Sequence, residues 1–432
     1  MKVVIIGNSA AGTGALEAFR KCDQKSPVTI ISDENYPLYS RCLLSYYLSG
    51  SIDETRLLFR AEDFHQRMAA EVVLGKRVES VDPQRQEVVC QDGTKFGYDK
   101  LLIATGGSAK IPANIPKNAE GVFSLRTVND AIAIKKILPA AKNAIVLGGG
   151  LIGMKAAFAL NKCGLKVTVV VRSRHVLSQM IDFEAAQIVE KQLRENGMEV
   201  LSGADIAEVE IKEGKLVAVR TEEGAAGSTS WLPCELLIAA KGVEPNMGFI
   251  SETNIAKNQG IITDARMQTN VENIFAAGDV AETFDIAAEE HTVNALWTCA
   301  IRQGKIAGFN MAGQHREYDG SVGMNSINFP GVDLISFGVV RPKEDAGYEV
   351  LVDNRPDSNI YRKLVLKDNK IKGLILVNRI DSAGIMLSLL GRKVDVSGMK
   401  QDLMSDRFNY GHVLGQGGRE EFQRFWNRSS QG

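Results

Sequence analysis

Four apolar residues, Val3-Val4-Ile5-Ile6, open the chain and run into a glycine turn, a helical stretch over about 13–22 and a second apolar strand, Val28–Ile31. A short unbroken apolar run fits a strand covered on both faces, and strand, turn, helix and strand in succession make one βαβ unit. The pattern returns 141 residues later: an apolar run at 144–147, the turn Gly148-Gly149-Gly150-Leu151-Ile152-Gly153, a helix to Cys163 and a strand over 166–171. Between the two units the pattern predicts a helical stretch over 54–68, strands near 71–81 and 87–89, and an apolar segment at 98–107. After the second unit, 234–240 reads as a buried strand that returns the chain to the first domain. From about Gly320 the glycine turns stop, and strands are expected over 334–340, 348–352, 361–367 and 370–377, then a helix near 382–390.

The expected fold class is therefore α/β, with two Rossmann-like, ββα-layered dinucleotide-binding domains and an α+β C-terminal interface domain. A chain of 432 residues exceeds the roughly 250–300 residues at which single cores stop growing. The boundaries read as 1–110 with 238–319 for a discontinuous first domain, 111–237 for the second, 320–414 for the third, and a partly disordered tail at 415–432, rich in Gly, Arg, Gln and Ser.

Charge removes some partners. The 52 acidic and 51 basic residues nearly balance, with no basic stripe to hold nucleic acid and no polybasic run for a membrane surface. No apolar run approaches the roughly 18–20 residues of a membrane span. A first strand beginning at Lys2 leaves no room for a signal peptide, so a cytoplasmic location is expected. Cys22, Cys42, Cys90, Cys163, Cys234 and Cys299 are dispersed without a CxxC pair, and the five histidines show no ligand spacing. No intrinsic metal is expected.

In a dinucleotide turn the first glycine makes the bend, the second admits backbone close to the pyrophosphate, and the third packs helix on strand. Gly148, Gly150 and Gly153 meet all three requirements. The first turn, Gly7-Asn8-Ser9-Ala10-Ala11-Gly12, keeps the outer glycines and has Ser9 in the middle, with small neighbours Ala10 and Ala11 that still allow close approach. Asp33 and Glu34 follow where an acid would hold a ribose diol; a solvated turn is the competing reading. The second unit instead ends in Arg172-Ser173-Arg174. Guanidinium groups there suit the 2′-phosphate of NADP, although two arginines after a strand are also common as solvated residues, so the nucleotide reads as NADP or NAD.

Three further segments carry a resemblance. The run 98–106, ending Ala104-Thr105-Gly106, the segment Lys241-Gly242-Val243-Glu244-Pro245-Asn246, and Asn273-Ile274-Phe275-Ala276-Ala277-Gly278-Asp279 resemble the domain crossings and FAD-closing motif of the pyridine nucleotide-disulfide oxidoreductase superfamily. The resemblance spans residues 1 to about 310. It implies an FAD domain interrupted by an NAD(P) domain and followed by an interface domain, with Asp279 on the ribityl chain of the flavin. Within the superfamily, Tyr39-Ser40-Arg41-Cys42-Leu43-Leu44-Ser45, Asn294-Ala295-Leu296-Trp297 and the helix that follows look most like rubredoxin reductase and the flavin part of NADH-dependent nitrite reductase.

The chain also departs from the pattern. Tyr47 stands where the second cysteine of a CxxxxC redox pair would fall, which excludes a two-cysteine mechanism. Cys42 occupies the position of the single redox cysteine of coenzyme A disulfide reductases and NADH oxidases. Ala10 falls in the stretch where NADH peroxidases carry a histidine, and Lys155 replaces a glutamate that often follows the second turn and lies near the nicotinamide.

The resemblance predicts an FAD-dependent NAD(P)H oxidoreductase with hydride transfer from nicotinamide C4 to flavin N5, and with backbone N–H groups of a helix opening in 291–297 facing the flavin. The expected partner is a small electron-transfer protein, rubredoxin or an iron–sulfur protein. One alternative is a thiol enzyme using Cys42, a coenzyme A disulfide or persulfide reductase or NADH oxidase, with Arg41 favouring the thiolate; against it stands a buried, inert cysteine. Another is a flavoprotein subunit of a larger redox complex. By resemblance the protein is expected to be a homodimer.

Overall fold

A computed structural model describes residues 1–222 and 230–413. The expected tail at 415–432 lies outside the described residues. Two compact units emerge, one joining Met1–Val170 to Ala204–Ser321, the other joining Val171–Gly203 to the described part of 322–432.

The first unit contains two parallel sheets. In one, Val3–Ile6 lies between Val28–Ile31 and Lys100–Ile103, with Ala70–Val73 and Ile274–Ala276 at the edges. Ile5 pairs with Ile30 and Leu102, and all three are buried, which is why these runs are apolar without alternation. In the other, Asn143–Leu147 lies between Lys166–Val171 and Leu236–Ala239, and Val122–Phe123 follows. In each sheet the first strand of the βαβ unit is central and the chain leaves it to both sides. That arrangement opens a crevice at the carboxyl end of the strand, where the glycine turn sits.

Three local expectations changed. The stretch 54–68 is not one helix: it holds a single 3₁₀ turn, Thr55–Leu57, and a short helix, Phe64–Arg67. The Asp53 carboxylate accepts from Arg56 N–H at 3.1 Å and from the Thr55 hydroxyl at 2.6 Å, closing a tight turn, and ψ of 126° at Leu58 carries the chain out of helix. The strand expected at 234–240 completes the second sheet rather than returning to the first; the strand that enters the first sheet is Ile274–Ala276. Segment 291–297 divides into a strand, Glu290–Thr292, and the start of a helix at Trp297.

In the second unit, Met324–Phe329, Val332–Gly338, Lys370–Val377, Ile360–Lys367 and Glu349–Arg355 form one antiparallel sheet in that order, with the helix Ala383–Gly391 after it. The helix Phe183–Glu195 also belongs to this unit. Its N-cap, Asp182, accepts from the Tyr361 hydroxyl at 2.6 Å and from Lys363 Nζ at 2.9 Å. Among the described residues no helix is long and apolar enough to cross a membrane, and no cluster of side chains could hold a metal.

Candidate functional site

The two glycine turns share one geometry. Gly7 and Gly148 have φ of 121° and 120°, a region open to glycine and little else, and a Cβ on either would stand 2.1 Å from Ala104 O or 2.3 Å from Ala240 O. At the third position, a Cβ on Gly12 or Gly153 would stand 2.1 Å from Gly7 O or 2.0 Å from Gly148 O, so helix and strand meet backbone to backbone. The middle position differs. Ser9 is extended, with φ −144° and ψ −155°, as is Gly150, with φ −78° and ψ −178° and nothing within 4 Å of its Cβ position. That conformation suits any residue, so serine in the first turn is no obstacle.

A cavity of about 840 Å³ in the first unit starts at the first turn. Gly7, Ser9, Ala10 and Ala11 line it, together with Asp33, Glu34, Arg41, Cys42, Ala104, Thr105, Gly106, Gly278, Asp279, Ala295, Leu296 and Trp297. Leu151, Ile152 and Lys155 from the second turn and its helix reach the same cavity. Gly12, Gly148, Gly150 and Gly153 do not line it. Lys241 is paired with Asp205 at 2.7 Å, next to Gly242 with φ 95°. Arg172 and Arg174 belong to the second unit, where the Arg174 guanidinium lies 4.1 Å over the Phe183 ring.

Of the two acids, Asp33 is exposed and Glu34 is half-buried. Glu34 accepts from the Tyr39 hydroxyl at 2.5 Å and pairs with Arg41, whose other terminal nitrogen donates to Arg126 O at 2.8 Å. Arg41 is thus committed to Glu34 rather than to its neighbour Cys42. Cys42 is exposed and opens to the cavity rather than being buried as the inert reading expects, yet desolvation pushes its thiol up, with Lys155 partly offsetting the shift.

Arg126 escaped the sequence reading. Its guanidinium pairs with Asp279 at 2.7 Å, and its Nε is buried with no partner. The loop carrying it is ordered by Asp130, whose carboxylate accepts from the backbone N–H of Arg126 and Thr127 at 2.8 and 3.0 Å and from the Ser124 hydroxyl at 2.9 Å; the Thr127 hydroxyl caps Asp130 N–H in return. The legible signal was Thr127-Val128-Asn129-Asp130, a capping box ahead of a helix.

These residues fit FAD. The 13-residue helix Ala10–Cys22 begins at the cavity with no side-chain cap and no acid in its first turn, leaving its N-terminal N–H groups for a pyrophosphate. Glu34 and Asp279 supply acceptors for hydroxyls, and Leu44, Leu296 and Trp297 supply apolar wall.

Comparison with known proteins agrees with this geometry. Residues 1–304 match the pyridine nucleotide-disulphide oxidoreductase family, and residues 324–394 match the C-terminal domain of rubredoxin NAD+ reductase. Subunit epsilon of the NADH-dependent phenylglyoxylate dehydrogenase of Aromatoleum evansii is 30% identical over 422 residues, 96% of this chain and 97% of that subunit. The NAD(P)H coenzyme A polysulfide/persulfide reductase of Pyrococcus horikoshii is 29% identical, over 89% of this chain and 90% of that protein. The fold is shared with a crystal structure of the covalent putidaredoxin reductase–putidaredoxin complex, with a TM-score of 0.83, 24% identity, and coverage of 91% of this chain and 94% of that one. The chain belongs to the pyridine nucleotide-disulphide oxidoreductase family, flavoprotein enzymes that use FAD and NAD(P)H.

Proposed function

We propose that this protein takes electrons from NAD(P)H and passes them to a small electron-transfer protein, a rubredoxin or an iron–sulfur protein. The observation that carries this reading is the setting of Cys42: it is the one cysteine lining the cavity, Tyr47 stands where a partner would be, and desolvation shifts its thiol away from the thiolate. FAD bound in the cavity supplies acceptance of a hydride and release of its two electrons singly. The chain supplies geometry and charge. The N-terminus of Ala10–Cys22 holds the pyrophosphate, Glu34 holds the adenosine ribose, and Asp279, aligned by Arg126, holds the ribityl chain. Gly148, Gly150 and Gly153 receive the NAD(P) pyrophosphate, with Lys241 and Gly242 bordering that site; by their place in the sequence after the second strand, Arg172 and Arg174 favour NADPH. Lys155 lies near the nicotinamide. The match of 324–394 to the rubredoxin reductase C-terminal domain supports the same reading. The three-domain division at 110, 237 and 319, a cytoplasmic location and a homodimer belong to this proposal; a light-scattering mass of one chain would remove the dimer.

Two specific observations favour other readings. Cys42 is exposed in the cavity beside Lys155 and the chain resembles a persulfide reductase, which supports a single-cysteine thiol enzyme. The relative from Aromatoleum evansii, matched over 97% of its length, is itself a subunit, which supports a flavoprotein component of a larger redox complex.

An anaerobic titration with NADPH, repeated with NADH, separates the first two. Uptake of two electrons per FAD without a thiolate-to-flavin charge-transfer band is the expected result. Four electrons with that band would make Cys42 a redox centre and replace this proposal with the thiol enzyme.

A further inference from the structure

We propose that Gln303 is a positioning residue for FAD, holding the Gly278-Asp279 turn in the orientation in which Asp279 faces the cavity. Gln303 lies on the helix Trp297–Met311 and is 1% exposed. Its Oε1 accepts from Gly278 N–H at 2.8 Å, and its Nε2 donates to the hydroxyl oxygen of Thr283, itself buried, at 3.2 Å. The amide orientation follows from chemistry, because only the oxygen can accept from Gly278 N–H.

The turn it holds is constrained. Gly278 has φ +83°, its carbonyl accepts from Ala281 N–H at 2.9 Å, and a Cβ would stand 3.2 Å from Ala11 Cβ at the first glycine turn. Gln303 therefore ties the segment that closes the cavity to the helix that borders it, one residue before Asp279. A buried amide is costly unless its hydrogen bonds are made; here both ends are used, and an apolar residue would leave the Gly278 N–H without this acceptor. What the amide adds is an acceptor for Gly278 N–H and hence a fixed direction for the next carboxylate.

The inference rests on FAD occupying this cavity, and the test separates the two. Flavin fluorescence quenching gives the FAD affinity of apoprotein, the melt of apoprotein reports packing, and the further rise in the melt on loading FAD reports binding. Gln303→Leu is expected to weaken FAD binding by on the order of tenfold. Gln303→Met, which keeps the length of the side chain without the acceptor, should weaken FAD binding as Gln303→Leu does. Thr283→Val, which frees the amide at its other end, should fall between these variants and wild type. FAD affinity of Gln303→Leu within about twofold of wild type, with apo and loaded melts lowered equally, would reduce Gln303 to a packing residue. If Gln303→Leu does not fold, the same outcome for Thr283→Val overturns the proposal. Wild-type protein that binds no FAD would instead overturn the cavity assignment beneath it.

Discussion

The Asp279 carboxylate meets the Arg126 guanidinium at 2.7 Å, across 153 residues of sequence. Asp279 ends the segment that resembles an FAD-closing motif and Arg126 stands on a loop held by the Asp130 capping box, so two distant segments fix one carboxylate at the cavity wall.

Removing that partner should loosen the flavin. Arg126→Met is expected to weaken FAD binding by roughly tenfold, with Arg126→Lys between it and wild type because an ammonium keeps the charge but not the planar fork. Both side chains are partly exposed, at 25% and 17%, so the effect should shrink in high salt. Fluorescence titration of apoprotein with FAD at two ionic strengths measures both. Equal affinities would mean that Asp279 is placed by its own turn alone.

Cys42 should behave as an unactivated thiol. Its thiol is raised by desolvation, so it is neutral at pH 7, and alkylation should accelerate only as pH rises beyond the usual thiol range near ~8.5. Lys155→Met should slow alkylation further at each pH, since that ammonium partly offsets the burial. Cys42→Ser should keep NAD(P)H-driven reduction of a one-electron dye within about twofold. Rapid iodoacetamide labelling of Cys42 at pH 7 would contradict this picture.

The middle and first positions of the second turn should respond oppositely. Gly150 is extended with open space at its Cβ position, like Ser9 in the first turn, so Gly150→Ser should hold NAD(P)H within a few-fold. Gly148→Ala places a methyl 2.3 Å from Ala240 O at φ 120° and should abolish nucleotide binding or folding. Isothermal titration with NADPH and NADH distinguishes them, and a functional Gly148→Ala protein would refute the steric argument.

Asp182 should matter for stability. It caps Phe183–Glu195 and accepts from Tyr361 and Lys363, with only 13% and 12% of the Asp182 and Lys363 side chains exposed. Asp182→Ala removes the cap and leaves a nearly buried ammonium unpaired, at a cost of about 2–4 kcal/mol. Urea unfolding followed by circular dichroism gives the figure; a loss under ~1 kcal/mol would mean that Lys363 finds water or another acid.

Much of the α/β frame was legible in the chain because its causes are local. Val3–Ile6 and the run near 144–147 are apolar without alternation since both faces are covered, and the spacing of Gly7 to Gly12 and of Gly148 to Gly153 reflects backbone contacts within a single turn. The strand Lys370–Val377 was readable from its apolar run Leu374-Ile375-Leu376-Val377. The tertiary structure decided what depends on residues brought together from afar. Arg41 is drawn to Glu34 and away from Cys42; Arg126 reaches Asp279; Gln303 takes the N–H of Gly278; and Leu236–Ala239 joins the second sheet while Ile274–Ala276 enters the first. Such pairings depend on direction and desolvation, which a one-dimensional pattern does not carry, whereas apolar periodicity and glycine spacing do.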